Sequence, residues 1–411
     1  MKEKQRAFLA LENGDVYEGF ACGAQGEATG ELCFNTSLSG YQEILSDPSY
    51  AGQIITMTMP QIGNYGTNKF DNESRSVFAR GFVVREMCFE PSNWRSEQSL
   101  PEYLAAHNVV GIEGIDTRAL VRTLRESGAM NACISTEDCN HESLIAKAKA
   151  EPGLVGQDLI STVAYGKAYE FGANEPSELH CYDFGEPTKE RFRVVAFDSG
   201  IKYNILRNLS SLGCKVTVVA PNTSAQDILS MNPDGVFLAN GPGDPEPLDY
   251  LYETVSSLIS QVPIFGICLG HQMLSLAVGA KTYKLKYGHR GGNHPVKNLD
   301  TGRVEITAQN HGFCVDFGSI GHLDADCEKR GIPVDDLKGW ARSGSAPVVI
   351  SKNHGPIKLT HINLNDNSVE GIELLEKQAY SVQYHPEAAP GPHDAHYLFG
   401  KFIDLMEKNQ S

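Results

Sequence analysis

Two different periods of apolar and polar positions run along this chain. Residues 7–11 and 16–20 are strand-like and flank Asn13-Gly14, a dipeptide that favours a type I′ turn, so the chain is predicted to open with an antiparallel hairpin. Further strand pattern covers residues 31–34 and 53–57, with Asp47-Pro48-Ser49-Tyr50 as a turn between them. Residues 116–127 place apolar side chains at helical spacing behind Asp116, a plausible N-cap, and ahead of Gly128, a stop. Residues 101–107 and 141–150 are shorter helices. Strands and helices mixed in this way, without regular alternation, predict an α+β domain over residues 1–164. Periodicity then fades into Gly, Glu, Pro and Lys over residues 165–190, the expected interdomain linker.

From residue 191 onward the pattern changes. Strands at 194–197, 216–220, 236–239 and 263–267 alternate with helices at 204–212, 224–229, 248–259 and 269–278. This spacing predicts right-handed βαβ units and a parallel sheet with helices on both faces, so residues 191–411 form an α/β domain. Beyond it, residues 281–295 are basic and glycine-rich, 304–307 form a strand and 309–313 (QNHGF) a polar turn. Residues 359–364 and 369–374 are strands joined across 365–367, residues 379–384 another, and 394–406 a closing helix. Residues 321–355 show no clear period, and a surface excursion is the default expectation.

Composition narrows the function classes. A chain of 411 residues is long for one core, which agrees with two domains. The net charge of −16 argues against a nucleic-acid partner, which would demand clustered Lys and Arg. The ten cysteines are scattered singly, without CxxC pairs or zinc spacing, so they read as reduced thiols with no metal. No apolar run reaches the ~20 residues of a membrane span, and the polar start carries no signal-peptide core, so a cytoplasmic site is expected. No GxxxxGK[ST] or GxGxxG phosphate motif is present, which places any ATP elsewhere.

In open parallel sheets functional groups gather at the carboxyl ends of the strands. Three candidates fall there: Asp198-Ser199-Gly200, Asn240-Gly241-Pro242-Gly243-Asp244, and Cys268 within PIFGICLGHQ. An apolar strand that breaks at glycine, presents one nucleophile and restarts as a helix has the form of a nucleophile elbow, with Cys268 at its tip. A lone cysteine after an apolar run is ordinarily a small buried hydrophobe, and context must decide. A thiolate nucleophile needs a base, and the base an orienting group; His385 and Glu387, in HPE at the end of a strand, supply both types. Alone, such a His is more often a structural hydrogen-bonder, and GPG is commonly just a turn, though its glycines can bring backbone N–H groups close to an oxyanion.

NGPGDP, GICLGHQ and HPE, in that order among βα units, resemble a class I glutamine amidotransferase domain. FNTSLSGYQEILSDPSYAGQI, IGNYGTN, GIDTRALVRTLRE, GHRGGNHPVK and QNHGF extend the likeness over nearly the whole chain, to the small, glutaminase subunit of carbamoyl-phosphate synthetase. The resemblance implies that Cys268 attacks the glutamine carboxamide, giving a thioester and ammonia, that His385 is base and then acid, and that Glu387 holds its imidazole. The N–H groups of Gly243 and Leu269 would face the oxyanion, and Ser49, Gly241, Gln272, Asn310, Gly312 and Phe313 would hold L-glutamine. It implies no cofactor in this chain, with ATP and Mg on a large synthetase subunit that receives the ammonia through an internal passage. Arginine and pyrimidine biosynthesis are the implied pathways. Ser199 departs from the pattern, standing where relatives carry an aromatic residue, and residues 321–355 make a longer segment than the bacterial pattern has.

Overall fold

The computed structural model describes residues 4–171 and 190–410. Seven strands of the first domain close into a barrel: Arg6–Leu11, Val16–Ala21, Val110–Glu113, Gly81–Val83, Gln53–Met57, Glu27–Asn35 and Met130–Ser135, the last pairing back to the first. The interior is filled by Leu9, Leu32, Ile54, Val83, Ile112 and Ile134, all essentially inaccessible to solvent. A closed sheet has no edge to protect. Helix Thr117–Ser127 adds Leu120 and Leu124 to this same core; Asp116 accepts from Ala119 N at 3.1 Å and Gly128 ends it, as the sequence pattern predicts. The opening hairpin is present, but its turn is not type I′. Leu11 O accepts from Gly14 N at 3.0 Å, and of the turn residues only Gly14 has positive φ, +102°. This is a three-residue loop with glycine in the bulge position, an arrangement that frees Asn13 from a left-handed conformation.

The second domain is organised by one twelve-stranded mixed sheet. Its centre is parallel, in the order Cys214–Val219, Phe192–Phe197, Gly235–Leu238, Ile264–Ile267 and Ala379–Val382. These strands are apolar throughout because both faces are covered. On one face Phe399 and Phe402 of helix Tyr397–Gln410 pack on Phe265 with ring centroids 5.7 and 5.9 Å apart. Helices Asp249–Leu258 and Leu269–Ala277 cover the other through Leu251, Val255 and Leu274. The sheet continues antiparallel through Val369–Leu374, Gly355–Asn363, Lys281–Asn298 and Val304–Asp316.

Three expectations need correction here. The QNHGF segment is no turn: residues 309–313 lie inside the 13-residue strand Val304–Asp316, paired with the 18-residue strand Lys281–Asn298 that the basic, glycine-rich composition concealed. Within the expected linker, Tyr169–Glu170 forms a strand antiparallel to Cys214–Val219; residues 172–189 of that stretch lie outside the described residues. Residues 321–355 are no surface excursion. They add strands Gly321–Leu323 and Val348–Ser351 to the sheet and bury Trp340 completely.

Candidate active site

Cys268 is the single residue between strand Ile264–Ile267 and helix Leu269–Ala277, and its backbone sits at φ 55°, ψ −104°. A non-glycine residue there carries a strain of about 1–3 kcal/mol, which surrounding bonds must offset. Cys268 N donates to Val382 O at 2.9 Å, and Cys268 O accepts from His271 N and Gln272 N at 3.0 and 3.1 Å. The two glycines of the motif are required by close approach. A Cβ on Gly270 would stand 2.1 Å from Leu238 O, and one on Gly266 would stand 2.6 Å from Gly270 O. The amide of Leu269 lies in the first helical turn, where N–H groups have no intrahelical acceptor.

His385 follows strand Ala379–Val382, and its N–H donates to Ala308 O at 2.9 Å, which ties it to strand Val304–Asp316. Its Nδ1 lies 2.7 Å from Glu387 Oε1. A carboxylate only accepts, so Nδ1 carries the proton. Nε2 is buried without a hydrogen-bond partner. Burial alone would depress the imidazole; the charges of Glu387 and Cys268 outweigh it and hold the His385 pKa at about 10. Burial would likewise raise Glu387, yet Lys202 and His385 pull its pKa down to about 2. Residues 268, 385 and 387 thus share one electrostatic unit, although 117 positions separate the first two in sequence (385 − 268).

Ser49, Gly241, Gly243, Gln272, Asn310, Gly312 and Phe313 join Cys268 around a narrow cavity. Leu269 does not line it; its side chain packs under Gly241, where a Cβ would meet Leu269 Cδ2 at 2.6 Å. His385 and Asn310 line an adjoining cavity with Lys202 and Ala308. The first domain closes the site: Asp47 accepts from Asn310 Nδ2 at 2.9 Å, and Ser49 Oγ accepts from Asn240 Nδ2 at 2.9 Å. Gln272 Nε2 donates to Phe313 O at 2.9 Å, fixing the elbow helix to the strand that carries Asn310.

Several participants were not singled out from the sequence: Lys202, whose Nζ lies 3.0 Å from Glu387 Oε1, Asn204, which donates to Glu387 O, and Asp47, Gln53 and His311. Lys202 had one available signal, its place just past the Asp198-Ser199-Gly200 strand end. That tripeptide itself is structural: Asp198 Oδ1 accepts from Gly200 N at 3.2 Å, and Ser199 Oγ donates to Asn240 O at 2.9 Å, bracing the turn that carries Gly241. An aromatic ring at position 199 could not make that bond. Among the described residues one group has metal-ligand types close together, His289, His311 and Glu370, with donor atoms within 4.8 Å. Each already has hydrogen-bond partners in Asp366, Gln309, Asn363 and the Phe313 carbonyl, so the group is satisfied without an ion.

A strand-to-helix elbow at the carboxyl edge of a parallel sheet defines the second domain as a class I glutamine amidotransferase domain. The family model described as glutamine amidotransferase class-I matches residues 194–331 and 343–405, and the model for the carbamoyl-phosphate synthase small chain, CPSase domain, matches residues 9–134. Carbamoyl phosphate synthase small chains from Syntrophotalea carbinolica and Rhodopirellula baltica are 53% and 50% identical to this chain. Each alignment covers 98% of it and, respectively, 99% and 96% of the relative. The small chain from Thermotoga maritima is 47% identical over 98% of this chain and 99% of its own length. The chain belongs to the carbamoyl phosphate synthase small chain family. Among the described residues no helix is long and apolar enough to cross a membrane.

Proposed function

We propose that this chain hydrolyses L-glutamine through Cys268, His385 and Glu387 and passes the ammonia to a large ATP-dependent synthetase subunit. The observation that carries this reading is a strained, glycine-flanked cysteine whose sulfur acts on a buried imidazole already bonded to a carboxylate. The Cys268 sulfur, as a thiolate paired with the His385 imidazolium, attacks the carboxamide carbon. Negative charge develops on the amide oxygen, towards the N–H groups of Gly243 and Leu269. Collapse of the tetrahedral intermediate breaks the C–N bond, with the His385 proton going to the nitrogen, and leaves a glutamyl thioester. Water, deprotonated by His385, then releases glutamate. Ser49, Gly241, Gln272, Asn310, Gly312 and Phe313 hold the substrate.

The cavity beyond His385, lined by Lys202, Ala308 and Gly291, offers ammonia a route away from the thioester. ATP and Mg belong to the large subunit, which makes carbamoyl phosphate from bicarbonate for arginine and pyrimidine biosynthesis in the cytoplasm; this chain needs no cofactor. Cys268→Ser tests the reading. In the complex with the large subunit, glutamine-dependent synthesis should fall at least about a thousandfold, while synthesis from free ammonia survives. Unchanged use of glutamine would reject the assignment.

A further inference from the structure

Helix Tyr203–Ser211 of the second domain starts on a carboxylate supplied by the first. Glu73, 1% exposed, accepts from Asn204 N at 2.9 Å, pairs with Arg207 Nη1 at 2.9 Å and takes Tyr203 N on its carbonyl at 2.8 Å. Glu73 is itself fixed from the barrel side, its N–H donating to Ser46 Oγ at 2.9 Å. The residues on either side of that helix start are the two that hold Glu387: Lys202 through its carboxylate and Asn204 through its carbonyl. Glu73 and Glu387 are the two largest charges acting on Lys202. Glu73, Glu387, Lys202 and Arg207 form a chain of buried charges that continues into His385 through Glu387, with Asp47 also acting on Lys202 and Glu43 of helix Tyr41–Ser46 acting with Glu73 from the barrel side. In a low-dielectric interior such a set responds as a unit when one charge is removed.

We propose that Glu73 is a positioning residue for the Cys268–His385 pair: by sharing Lys202 with Glu387, it sets how much of the Glu387 charge is left to His385. The first domain then does more than wall the cavity. It holds the catalytic ion pair at its working charge from the other side of the domain boundary. This inference rests on residues 268, 385 and 387 being the hydrolytic machinery.

Glu73→Gln keeps the shape and removes the charge. Lys202 then draws harder on Glu387, with Asp47 its other acidic neighbour, His385 holds its proton less firmly, and the thiolate that the imidazolium stabilises forms at higher pH. Iodoacetamide alkylation of Cys268 in the full chain, followed over about pH 5 to 10, should shift its apparent pKa upward by about one unit. Glutaminase kcat should fall about tenfold while KM for glutamine changes by less than about threefold. Glu73→Asp should return both towards the parent. Arg207→Met makes the same prediction by another route: Arg207 is the largest charge keeping the buried Glu73 ionised, so without it Glu73 takes up a proton and the apparent pKa again moves up. That sign decides the matter if Glu73→Gln does not fold.

Profiles that superimpose on the parent, two variants shifting in opposite directions, or a raised KM with kcat intact would each overturn the proposal, the last in favour of a plain interdomain strut. Failure of the underlying reading looks different: a parent chain that neither hydrolyses glutamine nor shows pH-dependent alkylation at Cys268 removes both.

Discussion

At the scale of single residues, the site depends on a conformation that Cys268 would not adopt alone. Strain at the tip is tolerated because the neighbouring strand end and the helix start meet with no side chain between them. Gly270→Ala tests this. Its Cβ would stand 2.1 Å from Leu238 O, an atom of the sheet backbone that cannot swing aside. The helix must shift, and with it the Cys268 sulfur and the Leu269 amide. A loss of about 1–3 kcal/mol in urea unfolding and at least a tenfold fall in glutaminase kcat are expected. A parent-like midpoint and rate would show that the close approach is dispensable. The elbow was legible in sequence because its strand, apex and helix are consecutive. Lys202 and Glu73 were not, since they meet their partners across 185 and 134 residues, and nothing local marks a buried lysine.

At the scale of elements, the parallel centre of the sheet was readable because full burial writes apolar runs, whereas the strands that carry cavity-lining polar groups break that pattern. QNHGF has the composition of a turn. In the structure its polar side chains are buried and satisfy a neighbouring strand of the same sheet or the first domain: Gln309 donates to Glu370 of strand Val369–Leu374 at 3.0 Å, and Asn310 to Asp47 at 2.9 Å. The partner strand Lys281–Asn298 needs register shifts around Gly288 and Gly291, which erase its alternation. Helix Leu337–Ser343 was missed for another reason: it is one short piece that pins a single tryptophan. Residues 332–342 lie between the two matched stretches of the amidotransferase model, yet Trp340 is fully buried and donates to Pro333 O at 2.9 Å. Trp340→Ala is expected to lower unfolding free energy by about 3–5 kcal/mol while leaving KM for glutamine unchanged, because the residue does not line the cavity. Calorimetry beside glutaminase kinetics separates the two effects, and an altered KM would tie this segment to the site.

Across the whole molecule, the buried histidines divide into two groups with opposite linkage to pH. Burial depresses His271 and His361 to about 3 and His294 to about 4, with His311 also well below its ordinary value. These stay neutral in the folded state but take up protons when unfolded below about pH 6.5, so each withdraws stability as pH falls from there. His385 and His289 run the other way. Burial opposes their charge, but Glu387 and Cys268 hold His385 at about 10, and Asp366 and Glu370 hold His289 at about 9. Their stabilising effect is complete below about pH 6.5 and is lost as pH rises through those values. The balance places the thermal midpoint highest near neutral pH, with the acid side steeper because the depressed histidines, which also include His107, His354 and His396, outnumber the raised pair. Removing one member of the smaller group should show it directly. His289→Asn takes away the partner of Asp366 at 2.8 Å, so its alkaline decline between about pH 6.5 and 9 should flatten relative to the parent, while the acid limb remains. Scanning calorimetry from about pH 5 to 9 on both proteins supplies the comparison, and an alkaline limb equally steep in the two would disprove this division of the histidines.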